Sequence, residues 1–172
     1  ILRCARGLIN WKKQSDSQET PLDALFSQLD SNKPLEDEIG DCILSEEEIS
    51  DRASPELYDI RRKIRAAELK AREQLDKMTR SSTQNKYLQE NIVTIRNGRF
   101  VVPVKAEHRG EVKGIVHDTS ASGATLFVEP ISVVEQNNAI RELEIKEKNE
   151  IQRILLELSG RVGESADLIL ND

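Results

Sequence analysis

Residues 92–130, IVTIRNGRFVVPVKAEHRGEVKGIVHDTSASGATLFVEP, alternate apolar and polar positions, whereas the chain on either side repeats its apolar residues every third or fourth position. IVTIR (92–96) and RFVVPVK (99–105) flank Asn97-Gly98, a pair in which both residues accept positive φ, so the two runs form a tight hairpin. Pro103 brings no amide hydrogen, which places it at an edge or a bulge. VKGIVHD (112–118) and ATLFVEP (124–130) read as a third and a fourth strand, joined through TSASG with Gly123 free to turn. The expectation is a four-stranded antiparallel meander with a one-sided core of Phe100, Val102, Val104, Ile115 and Phe127. A sheet this small needs support from what flanks it.

Upstream, Ser54-Pro55-Glu56 has the form of a helix start: a capping hydroxyl, proline in the first turn and an acid at the positive dipole end. Leu57, Ile60, Ile64, Ala67, Ala71, Leu75 and Met78 follow as a narrow stripe, over a helix of roughly 37 Å. RSST (80–83) interrupts it and NKYLQE is a last short helix. Downstream of Ile131, Val134, Ile140, Leu143, Ile151, Ile154, Leu155, Leu158 and Val162 mark a second long helix, with a polar interruption over 146–150 and two weakening glycines, Gly160 and Gly163. Both helices adjoin the same β unit, so they are expected to run antiparallel and pack like a coiled coil.

Before residue 54 the helical signals are shorter: a segment over 1–14 with Leu2, Leu8, Ile9 and Trp11 apolar, and a helix opened by Thr20-Pro21 with Leu22, Leu25, Phe26 and Leu29. Leu35, Ile39 and Leu44 form a third piece, and Ser45 with Glu48 has the spacing of a capping box. The predicted fold is mainly α with a small antiparallel β insertion. It divides into a helical core segment (1–53), an ascending helix (54–91), a β clamp (92–130) and a returning helix (131–172).

Composition limits what such a fold does. A third of the residues are charged and only 3 % are aromatic, too polar for a large globular core. Ile1 at the start and a helical pattern running to the end lead one to expect a piece of a longer protein. Cys4 and Cys42 fit neither a zinc spacing nor a disulfide framework, in keeping with a cytoplasmic protein, and no run reaches the ~18 apolar residues of a membrane span. The net charge of −6 is unevenly spread: residues 1–60 carry −8, residues 61–113 carry +8 and residues 114–172 carry −6. A basic block of that kind is either a solvated helix face or a footprint for phosphate.

No GxxxxGK[ST] loop or GxGxxG fingerprint occurs. His117, Asp118, Ser120 and Ser122 include the residue types of a hydrolase triad, but neighbours on a strand face opposite ways and no GxSxG elbow is present, so local turn chemistry is the simpler reading. His108 lies in a loop without metal-ligand partners. Arg96, Arg99, Lys105, Arg109 and Lys113 are the candidate nucleic-acid contacts, with Arg96 and Arg99 flanking the hairpin turn. Gln136-Asn137-Asn138 reads as amides that fix packing or bond nearby backbone rather than a ligand site. No catalytic, cofactor or metal residue is assigned within the chain.

The runs GRFVVPVK and VHDTSASGATLFVEP, with ELEIKEKNEIQRILLELS after them and DRASPELYDIRRKIR before, resemble the second bacterial branch of the MutS family, the anti-recombination paralogues with a C-terminal Smr nuclease domain. One departure is ILSEEEISDRAS, which lacks a glycine that the resemblance leads one to expect before Asp51. The resemblance implies lever helices carrying a clamp, in a dimeric parent protein that binds ATP with magnesium and has endonuclease activity, those sites lying outside this chain. It implies branched or double-stranded DNA, or the ribosome and its RNA, as partners, with roles in suppressing recombination and acting on stalled or collided ribosomes. The alternative is a helical dimerisation or ribosomal-protein docking module without nucleic-acid contact. Salt separates the two, because phosphate binding weakens steeply with ionic strength.

Overall fold

A computed structural model describes residues 1–14 and 21–171. It is mostly helical with one four-stranded antiparallel sheet. The helices are α1 (Leu2–Gln14), α2 (Asp23–Phe26), α3 (Lys33–Cys42), α4 (Pro55–Arg80), α5 (Ile131–Glu164) and α6 (Ala166–Asn171), and the strands are β1 (Thr94–Arg96), β2 (Arg99–Lys105), β3 (Gly114–Thr119) and β4 (Thr125–Pro130). The described residues form two compact units, one from Ile1–Tyr58 with Asn149–Asp172 and one from Asp59–Lys148.

In the first unit Ile49, Leu57, Ile154 and Leu158 make the core, with Ile39, Ile43 and Ile151 packed around them. Ser54 caps α4 as its sequence foretells: its Oγ accepts from the Leu57 amide at 2.9 Å and donates to Glu150 at 2.6 Å. Glu150 therefore gives the polar stretch 146–150 a structural reason. The helix runs through it unbroken, and the buried carboxylate meets the Ser54 hydroxyl and two nitrogens of Arg153 at 2.8 and 2.7 Å. Two expectations fail here. Ser45 begins no helix; 44–48 is a turn closed by bonds from the Leu44 and Ser45 amides to the Glu48 carbonyl, because Ile43 and Ile49 pair as a bridge and leave the chain no room for a helical turn. Leu44 consequently lies beyond α3 and is exposed, as are Leu8 and Trp11, while Ala5 is the buried residue of α1. Thr20 lies outside the described residues, and α2 begins after Leu22.

The second unit holds the sheet, in the order β1-β2-β4-β3, so it is not a meander. The chain leaves β2 through a helical turn at Ala106–His108, forms β3 at the far edge and returns through the 120–124 turn to place β4 in the middle. Val102 pairs with Val128 and Val128 with Val116, and cross-strand partners share a face. That face packs with Phe100, Val104, Ala71, Leu75, Leu88, Val133 and Ile140 into the core. Ile115 is out of step with it and is half exposed; Phe127 pairs with Pro103 and also falls on the other face. Pro103 behaves as a one-sided edge: its carbonyl accepts from Gln89, so the amide it lacks points away from β4. Gly114 is required by close approach, since a Cβ there would stand 2.2 Å from the Glu129 carbonyl oxygen.

The Glu150 carboxyl is drawn from its ordinary 4.5 down to about 2, chiefly by Arg153, against the opposing effect of burial, with Ser54 adding to the shift. A depressed folded-state value means that this stabilisation is present above pH 4.5 and is lost as pH falls toward about 2. Glu150→Gln is therefore expected to flatten the decline of the thermal midpoint across that window, measured by circular dichroism at a series of pH values.

Candidate nucleic-acid interface

The hairpin turn adopts the backbone its sequence demands, with φ of 53° at Asn97 and 73° at Gly98 and with Arg96 opposite Arg99. The turn is tied to β3, because Asn97 Nδ2 donates to the His117 carbonyl at 3.1 Å. The two arginines have different surroundings. Arg99 turns inward, with Nη1 donating to Glu129 Oε1 at 2.8 Å and Nη2 to Asn138 Oδ1 at 2.8 Å.

Glu129 is fully buried and is the centre of a polar cluster. Besides Arg99, it receives Asn137 Nδ2 at 2.8 Å and lies 2.5 Å from His117 Nε2. Burial pushes its carboxyl pKa up, but the hydrogen bonds from Asn137, His117 and Arg99 outweigh that and hold it below the usual carboxylate range. Asn137 also accepts from the Phe100 amide and donates to the Phe100 carbonyl, both at 3.1 Å. The β2–β4 register would place Pro130 opposite Phe100, and Pro130 has no amide and leads straight into α5. The Asn137 side chain thus stands in for the missing strand residue. Of the Gln136-Asn137-Asn138 run, Asn137 takes the expected backbone-bonding role, while Asn138 accepts from the Arg99 side chain and Gln136 Oε1 has no hydrogen-bond partner among the described residues.

The triad-like residues are engaged separately. His117 is the extra residue of a bulge between Val116 and Asp118 and faces Glu129; Asp118 faces Arg96 at 3.4 Å; Ser120 Oγ accepts from the Thr125 amide and lies 3.3 Å from Ser122 Oγ. His108 packs edge-on to Tyr87 with ring centres 5.3 Å apart. Among the described residues no group of three His, Cys, Asp or Glu is placed to hold a metal, and no helix is long and apolar enough to cross a membrane.

The candidate cations divide by environment. Arg96 lies with its guanidinium 4.0 Å from the centre of the Phe127 ring and also donates to the Ile95 carbonyl, so it is half-buried and held in place. Lys105 Nζ donates to the Lys86 carbonyl at 3.2 Å. Arg109 and Lys113 are exposed. The structure does not gather the five into one cluster of free charges. Residue reading missed Glu129, hidden in the apolar run TLFVEP; the only hint was a lone acid at a position flanked by buried strand residues. It also missed that Phe127 serves as a platform for Arg96 rather than as core.

Arg99→Ala would leave the buried Glu129 carboxylate short of its cationic partner and is expected to cost about 3 kcal/mol, read in a urea melt; Arg109→Ala, on the surface, is expected to change stability by less than about 0.5 kcal/mol.

No family model matches the chain. It is similar to the endonuclease MutS2 of Ruminiclostridium cellulolyticum, 49 % identical over 173 residues that cover 99 % of this chain and 21 % of that protein. It is 50 % identical over 166 residues to the endonuclease MutS2 of Acetivibrio thermocellus, covering 94 % and 21 %, and 49 % identical over 174 residues to that of Clostridioides difficile, covering 99 % and 22 %. The chain spans about a fifth of the length of the curated relatives it matches.

Proposed function

From this likeness to a single segment of endonuclease MutS2 proteins, carried along nearly the whole chain, we propose that the chain is the lever and clamp of a MutS-type protein, a β unit on two long antiparallel helices that touches nucleic acid. What supports the two helices lying side by side is one contact inside each unit: Ser54 with Glu150 in the first, and Arg61 with Glu147 at 2.6 Å in the second. The observation that carries the contact is the set of cations left at the surface of the β unit. Arg109 and Lys113 are exposed, Arg96 is held against Phe127 near the hairpin, and all three belong to the +8 block. Arg99 serves from inside, by fixing the hairpin.

Branched or double-stranded DNA is the first substrate of this reading, and ribosomal RNA the second. ATP with magnesium, dimer formation and nuclease chemistry would belong to other parts of the parent protein, which would act in the cytoplasm to restrain recombination or to treat stalled ribosomes. Contact at the clamp would shift the population of lever arrangements that the remote ATPase also prefers. A protein-docking role for the same helices is favoured by Leu156, 77 % exposed on α5.

The test is a salt series of binding to branched DNA. If Arg96, Arg109 and Lys113 meet phosphates, replacing each by Ala should lower the slope of log affinity against log salt by about 0.9, for a total of about 3. A slope that stays the same in the triple variant removes the clamp contact and leaves protein docking.

A further inference from the structure

Away from the hairpin, Lys113 shares a cavity of about 760 Å3 with Lys77 of α4. Its wall is completed by the turn after α4, with Ser81 and Thr83, and by the start of α5, with Ser132; Glu111 is its one carboxylate, and Met78 and Val112 give it an apolar floor. The volume is within the range that holds small-molecule ligands, roughly 300–1,000 Å3, and suits a nucleotide-sized group. The lining brings together two lysines from separate elements and a single carboxylate, and among the described residues no ion pair is placed on Lys77, Lys113 or Glu111. Ser81 and Thr83 hydrogen-bond each other at 2.9 Å through their hydroxyls, which consumes one proton and leaves the other free to be donated. Gln74, on the same wall, has a buried side-chain oxygen without a hydrogen-bond partner among the described residues.

We propose that this cavity binds a phosphoester, with Lys77 and Lys113 taking the phosphate charge and the 81–83 hydroxyls donating to its oxygens. A compact ammonium suits a phosphate as a point charge. The first turn of α5 adds to the positive field, although the Ile131 amide is already spent on the Lys113 carbonyl at 3.1 Å. Two sources share this chemistry: the backbone of a nucleic-acid strand and a free nucleotide. Only the first rests on the clamp reading above.

The experiment titrates the chain with a mononucleotide and, separately, with a short DNA duplex, following backbone amide shifts and affinity together. Lys77→Glu and Lys113→Glu are each expected to lower affinity about tenfold and to abolish shifts at Ser81, Thr83 and Ser132, while Lys70→Glu, which makes the same charge change on α4 outside the cavity, should leave both intact. Lys77→Gln, matched in thermal midpoint to the parent, keeps the test valid where the charge reversal unfolds the chain. Saturable binding of the mononucleotide assigns a free nucleotide; binding of the duplex alone assigns a strand. The proposal is overturned if neither probe moves those amides, or if Lys70→Glu weakens binding as much as Lys77→Glu. Loss of duplex binding in the Lys77 variant while the Arg96 and Arg109 variants bind normally would keep the cavity and discard the hairpin contact.

Discussion

A charged carboxylate with no access to water constrains everything around it, and Glu129 is that carboxylate. Taking an ion out of water costs several kcal/mol unless donors replace the solvent. Here three side chains do so from three elements: Arg99 from β2, His117 from β3 and Asn137 from α5. Each is thereby fixed, and each fixes something further. Arg99 holds the strand as it leaves the hairpin turn, the His117 carbonyl receives Asn97 from that turn, and Asn137 closes the open backbone of Phe100 where β4 ends. A sheet of four short strands has too little core to hold itself together. This cluster ties it to α5 through Asn137, while Val102, Val128 and Val116 join Val133 and Ile140 of the same helix in the apolar core.

The same cluster decides which charges remain for a partner. A chain with a +8 block looks, residue by residue, like an undivided basic surface. Folding sorts it. Arg99 is spent internally, Lys105 covers a backbone carbonyl, Arg61 pairs with Glu147, and Arg96 is stacked on Phe127 beside Asp118. On the β unit itself what faces outward is Arg109 and Lys113, with Arg96 pre-positioned rather than free, while α4 keeps further exposed cations, Lys70, Lys77 and Arg80 among them. A side chain ordered before binding loses less entropy when it meets a phosphate, so a few fixed cations serve better than many mobile ones.

Local chemistry could be read from the sequence and non-local pairing could not. Asn97-Gly98 announces its turn because positive φ is a property of those two residues, and Ser54 announces its cap because a hydroxyl three residues before an amide is a local geometry. The strand order escaped because nothing in 106–113 says which edge of the hairpin the chain will return to. Ile115 and Phe127 were misplaced for a related reason: a face is assigned by register, and register follows from the β2–β4 pairing and the bulge at His117. Ser45 had the spacing of a cap, yet the Ile43–Ile49 bridge, which needs both ends of the segment, made it a turn. Of the candidate contacts, the hairpin position of Arg96 and Arg99 was read correctly, but the partner that separates their roles, Glu129, sits in an apolar run where sequence gives no sign of an ion.

The titration of the Glu129 carboxyl itself, followed by its carbon chemical shift in the folded chain, tests this account most directly. A midpoint below the ordinary 4.5 is expected, with the Asn137 amide responding at the same pH as the fold loosens. A midpoint above 4.5, with the sheet intact while Glu129 is protonated, would contradict it, because the carboxylate would then not be the charge that Arg99, His117 and Asn137 are arranged to hold.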